Sequence, residues 1–210
     1  MIISSNTLKQ KEFPKIEHGD RIVQLGSCFS ANMSFWFQRA GFEVFDNPLG
    51  VIFHPIPLAK QILLAFEEAE LLEFVQKDDV YVSYDANSTI YAMDSISLNN
   101  QLWNQLKTLK ESLLKAKLFV ITLGSAHGYR LIESGCIVAN CHQQPKERFK
   151  KELTGAEELF DTWKEALDLI RDVNPGIQIV FTVSPVRYIR DGLMENSFSK
   201  AELFRLVDLL

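Results

Sequence analysis

The residues best suited to chemistry in this 210-residue chain stand together at Gly26-Ser27-Cys28-Phe29-Ser30. A serine and a cysteine side by side offer an oxygen and a sulfur for attack on an electrophilic carbonyl. Ahead of them, Arg21-Ile22-Val23-Gln24-Leu25 is a short apolar run closed by Gly26, which suits a buried parallel strand. Behind them, Phe29, Met33, Trp36 and Phe37 recur at helical spacing up to Gly41, which predicts a helix with those side chains as its apolar face. A strand-to-helix turn at this point sets Ser27 and Cys28 against the first unpaired N–H groups of the helix. Partial positive charge there favours a thiolate and can hold an oxyanion. The plainer alternative is a tight turn that packs a small thiol into the core.

A serine or cysteine nucleophile ordinarily needs a neighbouring base, and four histidines are candidates. His18 precedes the first strand and reads as a surface residue. His54 lies in the proline-bounded loop Asp46 to Pro55, where it could bind substrate or cap the next helix. His127 directly follows a strand end, and His142 follows Asn140-Cys141 at the end of another strand. Arg187 could clamp an anionic substrate group, or could simply be a surface arginine beside Asp191.

The elements that would position these groups alternate between strand and helix. Phe42 to Phe45 is a brief second strand, an amphipathic helix runs from about Pro57 to Phe74, and another covers roughly Leu98 to Lys115. Tyr81 to Tyr84 and Ser88 to Tyr91 alternate like a small hairpin around Asp85-Ala86-Asn87, an insertion near 78–95 in an otherwise single domain. Leu118 to Leu123, closed by Gly124, is the clearest buried strand, and Cys136 to Ala139 is a shorter one. A long helix is predicted from Lys146 to Val173, stopped by Asn174-Pro175-Gly176 before the strand Ile177 to Val183. The cluster Lys146-Glu147-Arg148-Phe149-Lys150-Lys151 then reads as a solvated helix face. Alternation of this kind argues for a mostly parallel sheet with helices on both faces. The strand ends at Gly26, Gly124 and Ser184 are where a site should lie.

Composition narrows the function. Lys and Arg number 22 against 27 Asp and Glu, a net charge of −5, which argues against a broad phosphate-binding face for nucleic acid. Cys28, Cys136 and Cys141 have no C-x-x-C spacing, so neither a disulfide framework nor a zinc site is suggested, and a reducing, cytoplasmic setting is expected. No basic-then-apolar leader and no membrane span is read from the sequence. Scattered carboxylates such as Asp79, Asp85 and Asp94 form no metal-site pattern, and the nucleotide-binding glycine fingerprints are missing, so no metal and no cofactor is expected.

Six blocks, in order and spacing, resemble the GSCFA family. They are Gly26 to Ser30, Asn47-Pro48-Leu49-Gly50 with Pro55, Thr122 to Ala126, Val138 to His142, Thr182 to Arg187, and Asn196-Ser197-Phe198-Ser199-Lys200. That family is similar to the SGNH/GDSL esterases. The resemblance implies a three-layer α/β/α sandwich of the flavodoxin-like kind and hydrolysis of an ester, with an acyl group on a carbohydrate or small metabolite as the expected target. Laid on the SGNH pattern, the nucleophile falls on Cys28, and a shift of one residue makes it Ser27, with both expected to face one site. Gly50 and Asn47 are implied as oxyanion donors. The block carrying the SGNH asparagine falls on Gly124-Ser125-Ala126, where Ala126 cannot donate and Ser125 is left to do so.

Two departures bear on activity. The superfamily's late Asp-x-x-His block does not occur before Leu210, so the chain reads as C-terminally truncated, and Tyr188 stands where many relatives carry histidine. The resemblance therefore implies weak activity or none unless His127 or His142 serves as base. The alternatives are an inactive module that binds a small molecule or partner, and an acyltransferase using the same residues.

Overall fold

The computed structural model describes residues 15–67, 74–187 and 192–210. Its main sheet is parallel and four-stranded in the order β2-β1-β5-β9, from β1 (Arg21–Gly26), β2 (Glu43–Asp46), β5 (Ala116–Leu123) and β9 (Gln178–Val183). Five helices flank it: α1 (Cys28–Arg39), α2 (Pro55–Glu67), α3 (Ser95–Lys115), α4 (Ala156–Val173) and α5 (Leu193–Leu209). None of the described helices is long and apolar enough to cross a membrane.

Strand register separates the two faces of this sheet. Val23, Phe119 and Ile179 are paired neighbours, and Phe181, two residues on, packs its ring edge-on against Trp163 of α4 at 5.1 Å. That face carries the main core: Val23, Leu25, Phe119, Ile121 and Leu123 are fully buried together with Leu residues of α2 and α3. Burial of each such side chain contributes about 1.5–3 kcal/mol relative to exposure. Gln24, Val120 and Val180 point to the opposite face, which α1 covers over β1, β2 and β5. The result is the expected α/β/α sandwich.

The apolar face predicted for α1 is not the one it buries. Ser30 and Ser34 turn inward, whereas Phe29, Phe35 and Trp36 are each about half exposed. The reason lies in the strand beneath. Gln24 is fully buried and its Nε2 donates to Ser34 Oγ at 2.9 Å, so a polar side chain in the sheet has drawn the hydroxyl side of the helix onto it. Asp46 of β2 adds to this underside. Burial pushes its carboxyl up, opposed by the polar side chains of Ser34 and Asn47 beside it.

Two smaller sheets depart from the sequence reading. β3 (Phe74–Lys77) and β4 (Val80–Ser83) form an antiparallel hairpin across Asp78, which sits at φ 52°. Phe74 therefore belongs to a strand and not to the preceding helix. Residues 88–91, expected as the hairpin partner, form no strand, and only the next residue, Ala92, makes a single bridge to Tyr81. Asn87 instead ties the turn to the loop after β2, its N–H reaching Leu49 O and its Nδ2 reaching Val51 O, both at 2.8 Å.

The second sheet, in the order β7-β6-β8, comprises β6 (His127–Leu131), β7 (Ile137–Val138) and β8 (Phe149–Leu153). The predicted long helix from Lys146 is thus a short 3-10 turn, Lys146–Arg148, followed by a strand, with α4 beginning only at Ala156. Pairing with β6 wins over helical charge spacing here, aided by Arg130 of β6, whose guanidinium bonds both Glu152 and Glu158.

Candidate active site

β1 ends at Gly26 with φ 134°, and a β-carbon there would lie 2.2 Å from Thr122 O. Only glycine lets the end of β1 press this closely against β5. Ser27 N then donates to Thr122 O at 3.1 Å, and Ser27 caps α1, its Oγ accepting a long 3.4 Å bond from Phe29 N. Capping turns the Ser27 side chain inward, where it is 1% exposed. Cys28, the first residue of the helix, is exposed. The two adjacent nucleophile candidates therefore do not face one site: Ser27 belongs to the turn and Cys28 to the surface. The Cys28 N–H is one of the first helical N–H groups, which have no acceptor within the helix.

The loop after β2 is stitched to the same strand end. Asn47, at φ 41°, accepts from Gly26 N through Oδ1 at 2.8 Å and donates its own N–H to Gln24 O at 3.0 Å. Its Oδ1 is committed to Gly26 and its Nδ2 is buried without a hydrogen-bond partner among the described residues, so the amide is turned inward and not out as an oxyanion donor. Gly50 N donates to Asn47 O at 2.8 Å, so the N–H expected to hold an oxyanion is occupied within the turn. The requirement for glycine at position 50 is steric: φ is 79°, and a β-carbon would lie 2.4 Å from that of Asn87.

At the exit of β5, Gly124 N and Ser125 N both donate to Phe53 O, at 2.9 and 3.0 Å. Ser125 Oγ accepts from His127 N at 3.0 Å and lies 3.2 Å from Ser199 Oγ. Ser199 Oγ in turn accepts from Ala126 N at 2.8 Å, and Lys200 Nζ donates to Gly124 O at 2.6 Å. The block Asn196 to Lys200 on α5 is thereby a clamp on the block Gly124 to Ala126. Sequence reasoning had given Ser199 and Lys200 no role, and its one signal for them was their place in the family resemblance.

The histidines divide by burial. His18 is exposed and stacks on Phe42. His54 caps α2: its Nδ1 accepts from Ile56 N at 3.2 Å, its Nε2 lies 3.1 Å from Thr154 Oγ1, and burial drives its pKa down to about 3. His142, at φ 51° and 2% exposed, donates from Nε2 to Ser83 O at 2.7 Å, and burial likewise holds it below the ordinary histidine range. His127 is half-buried, with Nε2 donating to Glu195 O at 3.2 Å, so its Nδ1 retains a lone pair. None of the four is hydrogen-bonded to the Cys28 thiol; the bond recorded at Cys28 runs from Asn32 Nδ2 to its carbonyl at 2.9 Å. Arg187 is exposed, while Tyr188 and Asp191, weighed beside it, lie outside the described residues.

A parallel α/β/α sandwich with an exposed cysteine at the first strand-to-helix turn, braced by blocks from the next loop and the next strand, is the class this fold and site define. The profile of the GSCFA family matches residues 21–210, and the chain belongs to that family. No curated protein and no solved structure matches it.

Proposed function

We propose that this GSCFA protein is an SGNH-like ester hydrolase whose nucleophile is Cys28. The observation that carries the reading is the divergence of the two neighbours, with Ser27 buried as the helix cap and Cys28 exposed at the first helical position. In this scheme the Cys28 sulfur, deprotonated, attacks the ester carbonyl carbon. The carbonyl oxygen becomes an oxyanion near the Cys28 N–H. Collapse breaks the bond to the alkoxy oxygen, which leaves as the alcohol after taking up a proton, and water then hydrolyses the thioester to the acid. His127, half-buried at a neighbouring strand end with Nε2 on Glu195 O and Nδ1 turned inward, is the imidazole this reading would recruit as base, and its side chain would have to rotate to present a nitrogen.

A second reading is a module that binds without turnover. It is favoured by the lack, among the described residues, of any imidazole bonded to the Cys28 thiol. Turnover of 4-nitrophenyl acetate by the wild-type protein, Cys28→Ala and Ser27→Ala separates the two. The hydrolase reading expects wild-type turnover that is lost in Cys28→Ala and retained in folded Ser27→Ala. Equal turnover in Cys28→Ala and wild type overturns it, and no turnover in any of them favours the module.

A further inference from the structure

Helix α1 turns its apolar side outward. At about 100° per residue, Cys28, Phe29, Asn32, Phe35, Trp36 and Arg39 fall within an arc of roughly 120°, on a stripe about 16 Å long. All six are exposed. Ser30 and Ser34 occupy the opposite, buried side, over Gln24. A surface helix ordinarily shows the reverse arrangement, with its apolar stripe on the core and its polar side in water.

The exposed rings form one patch. Phe35 and Trp36 meet edge-on with their centroids 5.4 Å apart, and the Arg39 guanidinium stands over both, 5.6 and 5.4 Å from their centres. Arg39 is the one charged residue of the helix, so no carboxylate of α1 interrupts the patch. Phe29 carries the apolar surface on to the N-terminal end, next to Cys28. Contiguous apolar surface with a polar rim marks an interaction site.

Cys28 decides what docks there. It lies on the same stripe as the rings, so a partner that covers them also covers the thiol. A second copy of the chain would seal Cys28 from any substrate, whereas a lipid surface brings ester groups to it. The composition of the stripe suits a lipid surface. Trp and Phe on one side of a helix lying flat enter the boundary between headgroups and acyl chains, and an arginine reaches the phosphates along its own stem. The net charge of −5 opposes approach to an anionic surface, which favours a zwitterionic one.

We infer that the outer face of α1 docks on a zwitterionic phospholipid surface, with Phe29, Phe35 and Trp36 inserted and Cys28 facing esters presented from that surface. The choice of occupant rests on the hydrolase reading, and docking is measured without turnover so that the two can fail separately.

The test is flotation of the full chain carrying Cys28→Ala with vesicles of dioleoylphosphatidylcholine. The bound fraction is expected to fall about tenfold or more when Phe35→Gln and Trp36→Gln are combined. It should not change in Ile96→Gln, which removes an exposed apolar side chain from α3 instead. Tryptophan emission should move to the blue on adding vesicles. Trp36→Phe, which keeps an aromatic ring, should abolish that shift and retain most of the binding, since Trp163 is already sealed in the core. Absence of flotation overturns the inference, and it leaves the hydrolase reading standing if the wild type still turns over 4-nitrophenyl acetate. Flotation unaffected by the double variant, in a protein whose circular dichroism matches wild type, also overturns it. So does a concentration-dependent dimer that Trp36→Gln dissolves, which would put a second copy on this face. Ring-dependent flotation without ester turnover supports the docking and removes only the hydrolase reading.

Discussion

Asn47 Oδ1 accepts a hydrogen bond from Gly26 N at 2.8 Å, so the loop after the second strand holds the residue on which the candidate nucleophile turn depends. Asn47 also sits at φ 41°, a conformation that asparagine tolerates better than most residues. Asn47→Ala should cost about 1–3 kcal/mol by leaving the buried Gly26 N–H unpaired. Asn47→Asp keeps the acceptor but sets a second carboxylate beside Asp46, so it should recover only part of the loss. Urea unfolding midpoints of the two variants check this.

Gly26 is the harder constraint. A β-carbon at 2.2 Å from Thr122 O has no side chain to push aside, because the obstacle is the β5 backbone. Gly26→Ala is expected to destabilise the protein by roughly 3–5 kcal/mol or to leave it insoluble, whereas Gly135→Ala, at φ 70° but with nothing within 4 Å of its added carbon, should cost only the backbone strain of about 1–2 kcal/mol. Thermal melts of both variants make the comparison.

Acid should unfold the protein through its buried histidines. The His54 pKa in the fold is depressed to about 3 by burial, with Arg130 and His127 adding to the depression and Glu152 opposing it. A folded pKa below the unfolded value means the unfolded chain takes up the proton first. The stability His54 contributes is therefore complete above about pH 6.5 and is lost as pH falls toward 3. His142 shifts in the same direction from the same main cause. Urea midpoints should fall between pH 7 and pH 4, and less steeply in His54→Gln, whose amide does not titrate; identical slopes would remove His54 from the account.

The centre of the main parallel sheet was legible in the sequence because β1 and β5 are largely apolar runs closed by glycine, as Leu118 to Leu123 before Gly124 shows. What was not legible depends on contacts distant in sequence. The segment Phe149 to Leu153 carries charges at spacings that suit a helix, and only its partner β6 makes it a strand. The aromatic residues of α1 promised a buried face, but the buried Gln24 and the half-buried Asp46 beneath it favoured hydroxyl groups instead. Ser27 and Cys28 could not be told apart by type or spacing. One residue of helical rotation at a capped turn separates inside from outside, and that is fixed only when Ser27 N meets Thr122 O.

The clamp of Ser199 on the exit of β5 offers a local test. Ser199→Ala leaves Ala126 N, now fully buried, without its 2.8 Å acceptor. Amide hydrogen exchange at Ala126 and His127 should quicken about tenfold or more, in keeping with roughly 1–3 kcal/mol lost locally, while exchange at Ile22 and Val23 in β1 stays near wild type.

The central claim is that Cys28 is the group that takes up the acyl chain. Brief exposure of the protein to 4-nitrophenyl acetate, followed by acid quench and peptide mass spectrometry, reads this directly. The account predicts one acetyl group per chain on Cys28, released on adding hydroxylamine; an acetyl group on Ser27, or an unmodified Cys28 while nitrophenol is produced, would contradict it.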